Sequence, residues 1–128
     1  MSYKVVYNSK YGGFGMSREG LAEYNRLTSL HVKDYYCIKR DDPVLIQLVE
    51  IMGKKIDDEY SRLKIKEFPM KYKSCLHWTE YDGCESVCID YKQYLIDSIK
   101  HVKDDPSISS DEKISRIHEQ YREYDSRL

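Results

Sequence analysis

Tyr11-Gly12-Gly13-Phe14-Gly15-Met16-Ser17 constrains this chain more than any other segment. Three glycines surround a single phenylalanine, between the apolar run Tyr3-Lys4-Val5-Val6-Tyr7 and a helical pattern that opens at Ser17. Glycines so placed mark a backbone that turns tightly or lets another group come close. The flanks predict a strand over residues 2–8 and a helix capped by Ser17, with Glu19 in its first turn and Leu21, Tyr24 and Leu27 on its apolar stripe. The loop is thus expected to run from a strand into a helix N-terminus.

Further along, Tyr35-Tyr36-Cys37-Ile38 reads as a short strand. Asp42-Pro43 opens a second helix with Pro at its first position. Val44, Leu45, Leu48, Val49 and Met52 form its apolar face, and Gly53 is its stop. Residues 54–60 read as loop or a short helical turn. Alternation over residues 61–67 predicts a strand, which Phe68-Pro69 breaks. A second strand is expected from Met70 to about Glu80, then an Asp82-Gly83 hairpin turn and a return strand to Ile89. Tyr91, Tyr94, Leu95, Ile99 and Val102 recur at helical spacing. Asp104-Asp105-Pro106-Ser107 breaks the pattern, and Ser109 with Glu112 forms a capping box. Ile114, Ile117, Tyr121, Tyr124 and Leu128 then form a narrow stripe, closer to a coiled-coil seam than to a broad core face. There is no internal repeat.

At 128 residues the chain suits one core, and 41% hydrophobic residues fit a globular protein. No apolar run is long enough for a membrane span, and the first residues hold no signal-like stretch. The expectation is an intracellular protein without membrane association, whose four cysteines are reduced thiols. A formal net charge of −1 provides no global field toward nucleic acid, so nucleic-acid binding is not expected. Ala22 is the only alanine, while Tyr, Lys, Ile and Asp abound, as AT-rich codons tend to produce.

Three blocks together resemble a known group. They are Lys4-Val5-Val6-Tyr7-Asn8 through Tyr11-Gly12-Gly13-Phe14-Gly15-Met16-Ser17; Arg40-Asp41-Asp42-Pro43-Val44-Leu45-Ile46-Gln47 through Glu50 and Gly53; and Leu63-Lys64-Ile65-Lys66-Glu67 with Pro69, then Glu80-Tyr81-Asp82-Gly83-Cys84-Glu85. The set resembles a family of small proteins of bacteriophages and large DNA viruses, with an early tyrosine-glycine-glycine-phenylalanine loop and a late glutamate-tyrosine-aspartate-glycine hairpin. The resemblance covers roughly the first two-thirds of the chain. It implies a viral origin, placing the protein in host cytoplasm or virion, and it carries over no catalytic residue. The alanine-poor composition resembles that of giant-virus proteins.

Several groups are candidates for chemistry. A glycine loop entering a helix presents backbone N–H groups to an anion. Gly12, Gly13, Phe14, Gly15 and Ser17, with Arg40 as a clamp, therefore form a candidate ligand site. The loop lacks the Gly-Lys-Ser/Thr of a phosphate-binding Walker loop and the glycine spacing of a dinucleotide fingerprint. The plainer reading is a tight connection with Phe14 in the core, and Arg40 paired with Asp41, Asp42 or Glu50. If Phe68-Pro69 is a tight reversal, Lys66 faces Lys71 and Lys64 faces Lys73. Strand parity then puts Tyr72, Leu76, Trp78, Val87 and Ile89 in the core. It puts Cys75, His77, Cys84 and Cys88 on the other face. Those four residues lack zinc-knuckle spacing, so no metal or cofactor is assigned and the cysteines read as small apolar groups. Glu80, Asp82 and Glu85 cluster near the hairpin tip, where the turn accounts for Asp82.

The expected fold is α+β: a small, mostly antiparallel sheet with helices on one face and a C-terminal helical pair. The expected division is an α+β domain over residues 1–103 and a helical extension over 104–128. The expected function is a viral accessory protein, not an enzyme, that binds itself or another protein. The alternative is a small anion or nucleotide binder built on the glycine loop.

Overall fold

A computed structural model describes residues 2–127. The elements run β1 (Ser2–Asn8), α1 (Arg18–Thr28), α2 (Pro43–Met52), β2 (Leu63–Pro69), β3 (Leu76–Tyr81), β4 (Cys84–Ile89), α3 (Tyr91–Lys103) and α4 (Ser110–Asp125). Single 3₁₀ turns occupy Tyr35–Cys37, Gly53–Ile56 and Met70–Tyr72. The strands form two two-stranded antiparallel sheets, β1 with β2 and β3 with β4. The class is therefore α+β with a C-terminal helical pair.

The chain forms two compact units. One holds the residues up to Lys73 together with His77–Cys88; the other holds Ser74–Leu76 and everything from Ile89 onward. The sequence reading put the division at 103/104, whereas α3 falls in the same unit as α4. The two helices lie against each other. Leu95 and Val102 of α3 are buried, and the Lys113 ammonium of α4 donates to the Lys103 carbonyl.

In the first unit, β1 and β2 pair with Val6 opposite Ile65, Tyr7 opposite Lys64 and Asn8 opposite Leu63. Strand parity puts Val6, Asn8, Leu63 and Ile65 on one face. There Val6, Leu45, Leu48, Ile56 and Phe14 build the main core. Helix ends are placed by their caps. The Ser17 hydroxyl accepts the Gly20 N–H, and one Asp42 carboxylate oxygen accepts the N–H groups of Val44 and Leu45. The second Asp42 oxygen accepts the Tyr24 hydroxyl at 2.8 Å, joining α1 to the start of α2.

Four local expectations are corrected. Tyr35–Cys37 is a 3₁₀ turn rather than a strand, because the Asp34 carboxylate accepts the Tyr36 N–H and starts a turn. Met70–Tyr72 is also a 3₁₀ turn, so Phe68-Pro69 is no hairpin reversal and Lys66 and Lys64 face Val5 and Tyr7 of β1. β2 is paired with β1 along its whole length, in the register Ser2 opposite Pro69 to Asn8 opposite Leu63. Next, Trp78 is 37% exposed rather than core, and β3 is exposed beyond Leu76. Val87 and Tyr72 are buried as expected. Leu27, expected on the apolar stripe of α1, is exposed.

Candidate functional site

The glycine loop lies between two other pieces of the first unit. On one side is the β3–β4 hairpin tip. Asp82 and Gly83 both have positive φ, 49° and 83°, as the tight two-residue hairpin turn requires. The Gly12 N–H donates to the Asp82 carbonyl at 2.7 Å. A Cβ placed on Gly83 would lie 2.0 Å from the Gly13 nitrogen. The two turns thus meet backbone to backbone, glycine on glycine.

On the other side is the 56–62 segment. The Ser17 N–H donates to the Ile56 carbonyl and the Ser61 hydroxyl donates to the Gly15 carbonyl, both at 2.8 Å. A Cβ on Gly15 would sit 1.8 Å from an Asp58 carboxylate oxygen. Phe14 is buried, as its apolar ring demands.

Asn8, the last residue of β1, ties these pieces together. It has no exposed surface. Its amide nitrogen donates to the carbonyls of Lys10 and Gly83, and its amide oxygen accepts the N–H groups of Lys10 and Arg62. All four hydrogen-bonding sites of the side chain are filled by backbone. Its own N–H donates to a Glu85 carboxylate oxygen at 2.8 Å.

Glu85 also takes Arg40. The guanidinium donates through Nη2 to Oε2 at 2.9 Å and through Nε to Oε1 at 3.3 Å. The Arg40 guanidinium carbon stands 3.5 Å from the centre of the Phe14 ring, and its carbonyl accepts the Val6 N–H. The expected partners of Arg40 are occupied elsewhere: Asp41 accepts the Tyr3 hydroxyl, Asp42 caps α2, and Glu50 pairs with Lys4. Arg40 is therefore an ion-paired residue as the plainer reading held, but with a partner 45 positions away.

Of the candidate residues, Gly12, Gly13, Phe14, Gly15, Ser17 and Arg40 do lie around one loop. Ser17 Oγ accepts the Gly20 N–H and donates to the Lys55 carbonyl at 2.6 Å. Arg40 is held by Glu85. The loop's close approaches are to protein atoms. Sequence reasoning missed Asn8 and Ser61, and saw Glu85 only as one of the hairpin-tip carboxylates, because each works through a distant partner that no local pattern identifies.

The cysteine and histidine residues do not gather. Cys75 is buried and its thiol donates to Asp97, while Cys88 and His77 are exposed. Burial pushes the Cys75 thiol pKa up; the Ser74 hydroxyl opposes this, and the Asp97 carboxylate adds to the rise. Such a thiol is a poor nucleophile. Among the described residues no group of three or more His, Cys, Asp or Glu side chains is placed to hold a metal. No helix among them is long and apolar enough to cross a membrane.

No family model, curated protein or solved structure matches this chain.

Proposed function

We propose that this chain is a viral accessory protein that acts by binding, through self-association along α4. One observation carries the reading. The helix spans Ser110–Asp125 without a single buried residue, and it leaves Ile114 57% and Tyr121 51% exposed. These residues are seven positions apart, so they share one side of the helix. Ile117 and Tyr124 are half-buried on the adjoining strip. A second apolar helix laid along this edge would bury what α3 leaves open, as in a coiled-coil seam. The viral assignment draws on the three sequence blocks that resemble phage and large-virus proteins.

The alternative, an anion or nucleotide site at the glycine loop, draws less support. The two side chains it needs, Ser17 and Arg40, are engaged by Lys55 and Gly20 and by Glu85. An anion would have to displace Glu85 to reach Arg40.

Light scattering on the full chain tests the reading. The expected result is a concentration-dependent rise in mass that Ile114→Glu with Tyr121→Glu abolishes without loss of helical circular dichroism. A full chain that stays monomeric up to millimolar concentration would overturn it.

A further inference from the structure

We infer that the two interlocked turns carry a receptor for an arginine-bearing peptide segment, separate from the α4 surface. Tyr11 and Tyr81 are 63% and 72% exposed, among the most exposed large hydrophobic side chains described. Their ring centres are 6.2 Å apart and their planes meet at 81°. Tyr11 directly precedes Gly12 and Tyr81 directly precedes Asp82, so the rings stand on the two turns that the Gly12–Asp82 hydrogen bond joins. The backbone beneath them is fixed by contacts of the first unit, which lowers the ordering cost of any contact they make. Tyr60 adds a third exposed ring close by, since a Cβ on Gly12 would lie 2.9 Å from the Cβ of Tyr60.

Beside Tyr11 runs an open groove of about 580 Å³, lined by Tyr11, Gly12, Gly13, Glu80, Asp82 and Gly83. Its two charged lining residues are both carboxylates. Glu80 is oriented by accepting the Gly83 N–H through one oxygen. Lys10, the neighbouring cation, is turned to the Glu59 carbonyl.

Chemistry selects the occupant. Ring faces carry negative quadrupole density, and a cation above them is attracted. Two carboxylates at the same groove add charge of the same sense. An acidic or phosphorylated ligand is repelled, and a plain apolar one leaves Glu80 and Asp82 unused. Arginine fits best, because its planar guanidinium stacks on tyrosine while its N–H groups meet a carboxylate. Glycines at the groove floor let a peptide backbone approach closely.

The test is an NMR titration of the ¹⁵N-labelled full chain with a hexa-arginine peptide, with hexa-glutamate as the control. The amide signals of Gly12, Gly13 and Gly83 are expected to move with hexa-arginine alone. Tyr11→Ala with Tyr81→Ala should weaken binding about tenfold, as expected for the loss of two exposed cation–ring contacts. Tyr11→Phe with Tyr81→Phe, which keeps the rings, should bind within about twofold of the parent. Both substituted positions are exposed, and unchanged dispersion elsewhere in the spectrum certifies the fold. Still glycine signals at millimolar hexa-arginine, equal response to hexa-glutamate, or undiminished binding by the alanine variant would each overturn the inference.

Discussion

Replacing Gly83 by alanine is the sharpest perturbation of the interlocked turns. Two costs arise. The first is conformational: at φ 83° an L-residue is strained, by about 1–2 kcal/mol. The second is steric. The added Cβ would meet the Gly13 nitrogen at 2.0 Å and the Gly13 Cα at 2.5 Å. These are backbone atoms and cannot rotate aside, so the turns must separate. Separation breaks the Gly12-to-Asp82 hydrogen bond and the Asn8-to-Gly83 bond, each worth about 1 kcal/mol net. It also leaves a donor of the fully buried Asn8 amide without a partner, at about 1 kcal/mol or more. The sum is about 4 kcal/mol, a large share of a small protein's stability. Gly53 gives the control. It also has positive φ, 57° with ψ −129°, but a Cβ there meets nothing within 4 Å, so Gly53→Ala should cost only the backbone strain, about 2 kcal/mol. Urea unfolding followed by fluorescence of Trp78, the only tryptophan, reads both variants. For a slope of about 2 kcal/mol/M, the Gly83→Ala midpoint should fall roughly 1 M below that of Gly53→Ala. Equal midpoints would refute the claim that the two turns are locked backbone to backbone.

The Arg40–Glu85 pair is partly buried, at 25% and 15% side-chain exposure, so Glu85→Gln should cost about 2 kcal/mol by leaving the guanidinium short of its counter-charge. Arg40→Met with Glu85→Gln should cost less than the two single changes added. A double-mutant cycle on urea stability measures this, and additivity would show that the pair is not coupled. The pH dependence at the alkaline end has a definite sign. The Tyr3 and Tyr24 hydroxyls are pushed up to about 12 by burial first and then by donating to Asp41 and Asp42. Unfolded tyrosines ionise near pH 10, so the folded state holds these protons more tightly. Their contribution is complete below about pH 10 and is lost as pH rises from about 10 to 12. Thermal unfolding across that range should show a falling midpoint, and Tyr3→Phe with Tyr24→Phe should flatten the fall.

Local features could be read where one segment decides its own conformation. Asp42-Pro43 and Gly53 bound a helix, Ser109 caps another, and Asp82-Gly83 turns a hairpin. In each, a side chain or a permitted φ acts on backbone within a few residues. The α+β class and the helical pair follow from such signals. The strand partner of β2 did not. Residues 63–69 alternate equally well against β1 or against a following strand, and the nearer choice lost because residues 70–72 turn instead. Tyr35–Ile38 misled for a related reason: its β-branched and aromatic content outweighed the capping by Asp34.

Sequence alone determined that the backbone at Gly12, Gly13 and Gly15 turns tightly or lets another group come close, and that Ser17 starts a helix. Tertiary structure decided what those glycines are for. Gly12 and Gly13 meet the hairpin tip, Gly15 meets Asp58, and Arg40 meets Glu85 through contacts that join residues far apart in the chain. The reason is physical. A backbone's permitted angles are a property of its own residues, whereas a close approach belongs to two segments at once and exists only when the whole unit has folded.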